Sequence, residues 1–374
     1  MIVLFFALTA VYLLLVAGFI NGFNKVKLFV SQEQIPATRF TIIIAFRNEV
    51  KNLESLIESL QELNYPKSLF EVILINDNST DNSEELAIRL LNCTQLDFHI
   101  YNNVTKSKSP KKDAITLGIK HAKYQWIITT DADCIVPSNW LKSYDSFLTS
   151  SKSTMVVAPV MLLPSTSVFD QFQTLEILSL QGATIGSFGF NKPFLSNGAN
   201  LCYSKELFHS LNGFQGNNDI ASGDDIFLLE KALKTQPELV TYLKCNEAIV
   251  ETRPEVSFSN VIQQRIRWAA KTSSYTQLFA KFVGFVVLAM NALIIASLIL
   301  SIFGILTWWE FLIILISKQL IDYSLISKSA KFFGRIKVLN TYFFSSLIYP
   351  FVSIYVAFKA MFSNYQWKGR TFNK

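Results

Sequence analysis

The chain has little of what builds disulfide frameworks, zinc sites or highly charged surfaces. Its 374 residues include 4 Cys and 3 His, and Asp, Glu, Lys and Arg together make up only 17%. The cysteines lie far apart and form no CxxC pair, so we expect reduced thiols rather than zinc ligands or disulfides. The composition also excludes a disordered chain, a collagen and a coiled coil.

Hydrophobic residues make up 50% of the chain, and they are unevenly distributed. Residues 1–20 carry no charge and 279–362 is almost as apolar, whereas the segment between them has mixed polarity. We therefore predict a soluble domain with membrane anchors on both sides. The net charge of +6 fits Lys and Arg that flank membrane segments. No basic run is interleaved with aromatic residues, so no nucleic-acid partner is expected.

The N-terminal apolar run is either a cleaved signal peptide or a retained anchor. No basic segment precedes it, and about 20 residues suffice to span a bilayer, so we predict a transmembrane signal anchor at 1–22. Lys25 and Lys27 follow, and the positive-inside rule then places the next domain in the cytosol. The predicted location is the inner membrane of a bacterium.

Three more apolar stretches are near membrane-spanning length, at about 282–304, 308–327 and 341–360. The first two are joined by a turn without Lys or Arg, which favours an external hairpin, and the basic loop after the second is then cytosolic. A third crossing would put the basic tail, 363–374, outside. Either the last stretch does not cross, or the tail is an exception. Lys318 and Asp322 in the second stretch mark a substrate path or neutralise each other, and we favour neutralisation.

From 38 to 257, segments with strand and helix periodicity alternate. The expected strands are at 41–44, 71–77, 98–101 and 125–130, and the expected helices at 52–63, 84–91 and 111–122. These units predict an α/β fold with a mainly parallel sheet, which binds ligands at the carboxyl ends of its strands. Polar residues follow two of the strands, at Asn76 to Ser79 and at Asp131 and Asp133. Each group suits an ordinary turn, but their serial placement on one sheet edge favours a site.

Five motifs occur in order, IIIAFRNE, INDNSTD, KKDAITLGI, DADC and GDD, and QRIRW follows them. The series resembles the membrane-bound family 2 glycosyltransferases, which include enzymes related to cellulose and hyaluronan synthases and to ceramide glucosyltransferase. The C-terminal WKGR is similar to the tails of some non-processive members. The resemblance implies the GT-A nucleotide-sugar fold, a Rossmann-like mixed sheet, and inverting, metal-dependent transfer of a sugar from a UDP-sugar.

The resemblance also implies a donor site at the first strand ends. Glu49 would contact the ribose and Asp77 the uracil edge, and Ala45 stands where many members have Pro. Lys111 matches the family lysine that approaches the nucleotide, but Lys112 beside it leaves the register open. A solvated helix start explains the two lysines equally well.

Carboxylates are expected to supply both the metal site and the base. A Mg²⁺ or Mn²⁺ ion would neutralise the leaving pyrophosphate. By resemblance, Asp133 binds this metal directly and Asp131 lies near the ribose and the metal shell. Asp224 and Asp225 begin a predicted helix, which suits N-terminal caps as well. The resemblance makes Asp225 the general base for the acceptor hydroxyl.

QRIRW places Gln264, Arg267 and Trp268 on one face of a helix. Arg267 can clamp a diphosphate with its planar fork, and Trp268 can stack on a sugar. An amphipathic helix at the membrane surface, predicted at 258–278, would have the same composition, and we expect both roles together. The residues that the resemblance assigns to the acceptor are Asn197, Gly198, Gln264 and Trp268.

Two kinds of acceptor are compatible with these motifs. A processive polysaccharide synthase conducts its polymer across the membrane, for which about four membrane segments are few without an oligomer or an export partner. Transfer of one sugar to a lipid or an envelope glycan needs only an opening at the interface, and we favour it. A non-catalytic nucleotide-sugar-binding protein would keep the same fold. A nucleotidyltransferase would not explain GDD and QRIRW.

Overall fold

The structure, a computed structural model, describes residues 1–362 and 364–372, without the side chains of residues 273, 365 and 366. Part of the predicted basic tail, residues 363, 373 and 374, therefore lies outside the described residues. The chain forms two compact units. The sheet unit comprises Lys27–Leu163 and Leu195–Arg253, and the helical unit comprises Met1–Val26, Pro164–Phe194 and Pro254–Lys374.

The regular elements follow in chain order. The α-helices are α1 (Ile2–Lys25), α2 (Leu53–Gln61), α3 (Ser83–Asn92), α4 (Pro110–His121), α5 (Trp140–Ser150), α6 (Val168–Gly189), α7 (Lys205–Ser210), α8 (Asp224–Thr235), α9 (Phe258–Ala270), α10 (Leu278–Ile302), α11 (Trp308–Phe332) and α12 (Tyr342–Phe362). The strands are β1 (Phe40–Phe46), β2 (Phe70–Asn76), β3 (Phe98–Asn102), β4 (Trp126–Asp131), β5 (Cys134–Ile135), β6 (Met155–Val157), β7 (Val160–Leu162), β8 (Leu201–Ser204), β9 (Val240–Tyr242), β10 (Val250–Thr252), β11 (Tyr365–Trp367) and β12 (Arg370–Phe372).

The main sheet has the strand order β3-β2-β1-β4-β8-β6-β9. Strands β1 to β4 are parallel to one another, and β8 is antiparallel to both β4 and β6. The chain passes from β1 to β2 and β3 on one side and then returns to β4 on the other. This reversal creates a switch point between β1 and β4, where open parallel sheets bind ligands. The predicted α/β fold with a mainly parallel sheet is confirmed.

Burial of the strands explains why their sequences are short apolar runs. All seven residues of β2 are buried, and only Ala45 of β1 is partly exposed. Such strands are covered by helices on both faces, so they show no alternation of polar and apolar residues. The edge strand β3 is mostly half-buried. In register, Ala45 of β1 lies between Ile75 of β2 and Asp131 of β4.

The helical unit contains three segments that are long and apolar enough to cross a membrane. These are Ile2–Lys25, Leu278–Ile302 and Ile336–Phe362. The remaining predicted membrane segment, 308–327, forms helix α11. Among the described helices, α11 is not one of those that are apolar enough to cross a membrane. Its Lys318 and Asp322 form an ion pair of 2.7 Å, and the Tyr12 hydroxyl of α1 donates to Asp322 at 2.6 Å.

Helix α6 belongs to the helical unit, although its residues lie within the predicted soluble domain, 38–257. It packs on α1 through glycines. A Cβ on Gly22 would lie 2.0 Å from the Gly186 carbonyl oxygen, and one on Gly186 would lie 2.4 Å from the Phe19 carbonyl oxygen. Such backbone contact requires glycine, because no side chain fits between the helices. Helix α9 ends at Ala270, earlier than the predicted 258–278.

Candidate active site

Lys111 brings together residues from three distant parts of the sheet unit. It lies in the first turn of α4. Its Nζ atom is 2.7 Å from Oδ1 of Asp131, at the end of β4, and 3.4 Å from Oδ2 of Asp224, at the start of α8. One cation thus faces two carboxylates, and Asp225 follows directly. The carboxylates outnumber the ammonium, which suits a site for a further cation.

The ammonium of Lys111 is held in its charged form. Burial alone would lower its pKa, but the charges of Asp131 and Asp224 and the hydrogen bond to Asp131 outweigh burial, so the pKa is raised. The adjacent Lys112 has a different environment. Its Nζ donates to the carbonyl oxygens of Asn217 at 2.7 Å and Ile220 at 2.9 Å, in the loop before GDD. The geometry therefore places Lys111 with the acids and gives Lys112 contacts to that loop.

Asp225 is oriented by backbone amides. Its Oδ2 accepts from the N–H of Gly198 at 3.2 Å, and its Oδ1 accepts from the N–H of Ile226 at 2.8 Å. Gly223 precedes the two acids with φ of 84°, a left-handed conformation that favours glycine. The acids also lie at the N-terminus of α8, where the helix dipole stabilises negative charge. Capping and a place in the acid cluster therefore coincide.

The loop of Asn197 and Gly198 packs directly against the acids. Gly198 accepts through its carbonyl from Thr129 Oγ1 at 2.7 Å, and a Cβ at this position would lie 2.8 Å from Asp224 Oδ2. The side chain of Asn197 accepts from the N–H of Ala199 at 3.0 Å and so caps the short helical turn that follows. Glycine at 198 thus allows the close approach of backbone and carboxylate.

Asp77 and Glu49 follow β2 and β1 at the same sheet edge. The Asn103 side chain donates to Asp77 Oδ1 at 2.8 Å, and Arg47 donates to the Asp77 carbonyl at 2.7 Å. Glu49 Oε2 accepts from Asn52 Nδ2 at 2.7 Å. The sequence pattern did not single out Asn103 and Arg47. A signal for Asn103 existed, because it is a polar residue two positions beyond the third predicted strand, 98–101, and directly after β3.

The residues of QRIRW lie in the helical unit, on α9. Gln264 donates to Glu255 Oε1 at 2.9 Å, and the Arg267 guanidinium lies 5.0 Å from the ring centre of Trp367. The guanidinium carbon of Arg265 lies 4.4 Å from the centre of the Trp268 ring. These contacts tie three motif residues to neighbours in the same unit.

Two elements of this region were not predicted. Arg265, inside QRIRW, forms an ion pair with Glu176 of α6 at 2.8 Å. The WKGR segment forms the turn of the β11–β12 hairpin, with Lys368 and Gly369 at φ of 49° and 73°. This two-residue turn with positive φ at both positions is typical of a tight hairpin.

A metal ion would find part of its coordination shell in the sheet unit. Asp131 is the last residue of β4 and Asp133 lies in the turn between β4 and β5, and carboxylates are suitable ligands for Mg²⁺ and Mn²⁺. Within 1–362 and 364–372, no group of three or more His, Cys, Asp or Glu side chains forms a complete metal site. The donor set therefore fits an ion that takes its remaining ligands from phosphate oxygens and water.

Two models of a transferase family match the chain. The family model described as Glycosyl transferase family 2 matches residues 41–202, and Glycosyl transferase family group 2 matches 126–326, more than half of the chain. The chain belongs to the family 2 glycosyltransferases, and its fold is GT-A.

Relatives of known function share low sequence identity with this chain. The poly-beta-1,6-N-acetyl-D-glucosamine synthase of Staphylococcus epidermidis is 23% identical over 252 residues, 66% of this chain and 57% of that protein. The synthase of the same name from Staphylococcus aureus strain COL is 30% identical over 143 residues, 38% and 33% of the two chains. The chain thus spans little more than half the length of the first relative and a third of the second.

Among solved structures, the mannosyltransferase PcManGT from Pyrobaculum calidifontis, in complex with GDP-Man and Mn²⁺, matches with a TM-score of 0.53. Its sequence is 16% identical, and the match covers 96% of both chains. At this identity the likeness establishes the fold alone.

Proposed function

We propose that the protein is an inverting, metal-dependent glycosyltransferase that transfers a sugar from a UDP-sugar to a membrane-associated acceptor. The acceptor is a glycolipid or a cell-envelope glycan, and the sheet unit faces the cytosol at a bacterial inner membrane. The observation that supports this most is the cluster of Lys111, Asp131, Asp224 and Asp225 at the carboxyl edge of a parallel sheet.

The cluster suits the charge requirements of sugar transfer. The departing diphosphate has to be neutralised, and water has to be kept from the anomeric carbon. Asp133 and Asp131 would hold Mg²⁺ or Mn²⁺, and such an ion, when bound, supplies positive charge for the diphosphate. Lys111 fixes the carboxylate of Asp131 by a 2.7 Å hydrogen bond, so that this side chain keeps one orientation.

We assign to Asp225 the role of the general base, which accepts the proton of the acceptor hydroxyl. The amides of Gly198 and Ile226 fix its carboxylate, which reduces the reorganisation needed when the hydroxyl approaches. Attack by the deprotonated oxygen on the anomeric carbon, on the side opposite the leaving diphosphate, inverts that centre in a single displacement. No covalent sugar–enzyme intermediate is needed.

Recognition of the uracil base of the donor is assigned to Asp77. A carboxylate can accept the ring N–H of uracil, and Asn103 holds Asp77 at 2.8 Å in a fixed orientation. Glu49 is assigned to the ribose. The roles of Gln264, Arg267 and Trp268 in the diphosphate and acceptor steps stay predictions from the family resemblance.

A processive synthase is the second candidate, because two relatives are poly-beta-1,6-N-acetyl-D-glucosamine synthases. Export of a polymer would need a wide protein-lined path. Three segments of the described chain are apolar enough to cross a membrane. A channel would therefore need additional copies or an export partner, so we favour transfer of a single sugar.

Labelled donors would test the proposal directly. Membranes with the full chain are incubated with a panel of UDP-sugars and GDP-mannose, with Mn²⁺ and with chelator, and the product is partitioned between organic solvent and water. We expect one UDP-sugar to label a solvent-soluble product only with metal. Label in a polymer of high molecular mass would support the processive alternative. Full activity in the presence of chelator would refute the proposed dependence on a metal ion.

A further inference from the structure

A pocket of about 320 Å³ lies between α9 and α12, inside the helical unit. This volume is at the lower end of the range for small-molecule sites, about 300–1,000 Å³. None of the residues assigned above to the donor, the metal or the base lines it. The pocket is therefore separate from the proposed donor, metal and base residues.

The α9 wall of the pocket has one apolar and one polar strip. Ile262 and Ile266 are four positions apart and form the apolar strip, and both are buried. Ser259 and Gln263 are also four positions apart and form the polar strip beside it. A wall of this kind fits a ligand with a polar head and an apolar chain.

The charge of the pocket is positive. From α12 it is lined by Lys359, whose ammonium lies 5.8 Å from the ring centre of Tyr355. None of the described residues that line the pocket is acidic. Ser259 lies in the first turn of α9, where the helix dipole adds partial positive charge. The polar head that fits here is an anion.

The position of Lys359 indicates a lipid source for that anion. It lies in the last turn of Ile336–Phe362, a segment long and apolar enough to cross a membrane. Phe358 and Met361 beside it are more than half exposed, which suits contact with acyl chains. A lysine at the end of such a helix reaches the level of the lipid head groups.

We propose that this pocket binds the phosphate head group of an anionic membrane lipid. The ammonium of Lys359 and the polar strip of Ser259 and Gln263 hold the phosphate, and Ile262 and Ile266 contact the first methylene groups of the chain. The proposal does not depend on the transfer reaction, so a failed transfer assay would leave it intact.

Native mass spectrometry of the full chain in detergent, titrated with phosphatidylglycerol, tests the site. Lys359→Gln should weaken lipid binding about ten-fold, since a charge-assisted hydrogen bond is lost, and Lys359→Arg should retain it. Lys281→Gln is the matched control, because Lys281 is an exposed lysine near the start of α10 and does not line the pocket.

Three outcomes would overturn the proposal. Equal losses in Lys359→Gln and Lys281→Gln would indicate general attraction of lipid to basic residues. Equal affinity for phosphatidylglycerol and for phosphatidylcholine, whose phosphate charge is offset by its choline cation, would show that the pocket does not select a lipid with net negative charge. Competition by inorganic phosphate at the concentration of the lipid would identify a site for a soluble anion. Retained binding in Lys359→Arg shows that the pocket is folded, whatever the result with Gln.

Discussion

The two units of the chain treat charge in opposite ways. In the sheet unit, Lys111 has 18% of its side chain exposed and faces two carboxylates, of which Asp131 is 36% exposed. In the helical unit, Arg265 is 6% exposed and its partner Glu176 is 12% exposed. In the first arrangement the charges are unequal and Asp131 gives access to solvent, although Asp224 is only 10% exposed. In the second the charges are matched and both partners are buried or nearly so.

This difference separates charges that can receive a ligand from charges that hold helices together. A buried pair with both partners satisfied has little to offer a substrate, because displacing either ion costs several kcal/mol. An excess of carboxylates at a sheet edge, by contrast, repels itself until a cation or a substrate group arrives. Variants in the two units should therefore affect different measurements.

The largest effect is expected at Asp225, on turnover alone. Asp225→Asn removes the proton acceptor and keeps one oxygen, which can accept from Gly198 or from Ile226 but not from both, so turnover should fall about 10²- to 10⁴-fold while donor binding is retained. Transfer assays and calorimetric titration with the donor measure the two quantities. Asp219→Asn is the control, because its side chain is 89% exposed. Unchanged turnover in Asp225→Asn would remove this residue from the proposed base role.

Breaking the matched pair should act on stability. Glu176→Leu leaves the Arg265 guanidinium buried without its carboxylate, which should lower the free energy of unfolding by about 3–5 kcal/mol. Combining it with Arg265→Met should restore much of the loss, since both charges are then removed. Thermal unfolding in detergent reports the change.

The exposed pair of Lys123 and Asp97, 2.8 Å apart, provides the control for this experiment. Asp97→Asn should change the free energy of unfolding by less than about 1 kcal/mol, because water and salt screen a surface pair. A double variant as unstable as Glu176→Leu alone would show that packing, and not unpaired charge, is the cause.

The adjacent lysines allow the comparison to be made within one helical turn. Lys111→Met should reduce transfer by about ten-fold or more, since two carboxylates lose their cation. Lys112→Met should instead lower stability, by about 1.5–3 kcal/mol, because the carbonyls of Asn217 and Ile220 lose a charged donor. If both variants lose transfer equally, the separation of roles is wrong.

The pH dependence of this effect follows from the raised pKa of Lys111. A lysine whose pKa is higher in the folded state stabilises the protein fully below its unfolded value, about 10.4. The contribution is lost only as the pH rises through the higher folded value. The stability difference between the wild type and Lys111→Met should therefore be constant between about pH 6 and pH 9, as measured by thermal unfolding.

The strands of the sheet unit could be predicted because each is a short apolar run that ends in polar residues. The strand expected at 71–77 is observed at Phe70–Asn76, and the acids at its end lie on the predicted edge. What the pattern could not decide was which of Lys111 and Lys112 faces the acids. Neighbouring residues on a helix point in directions about 100° apart, and only the docking of α4 selects one.

Helix α6 shows where the sequence pattern fails. Its 22 residues include Asp170 and Glu176, so its composition resembles that of a soluble helix. Its assignment to the helical unit depends on partners far away in the chain, Phe19 and Gly22 of α1 and Arg265 of α9. Neither hydropathy nor periodicity records such contacts, because both are properties of neighbouring residues.

The smallest predicted effect tests this assignment of α6. In Gly186→Ala the new Cβ would lie 2.4 Å from the Phe19 carbonyl oxygen, and backbone cannot move as a flexible side chain does. The free energy of unfolding should fall by about 1–3 kcal/mol. Gly284→Ala, in α10, is the matched control, because no atom lies within 4 Å of its Cβ position. There alanine should stabilise the helix by about 0.5–1 kcal/mol. If the two variants change the stability in opposite directions, as measured by thermal unfolding, close backbone packing of α6 on α1 is supported. If they change it equally, α6 does not need glycine at that contact.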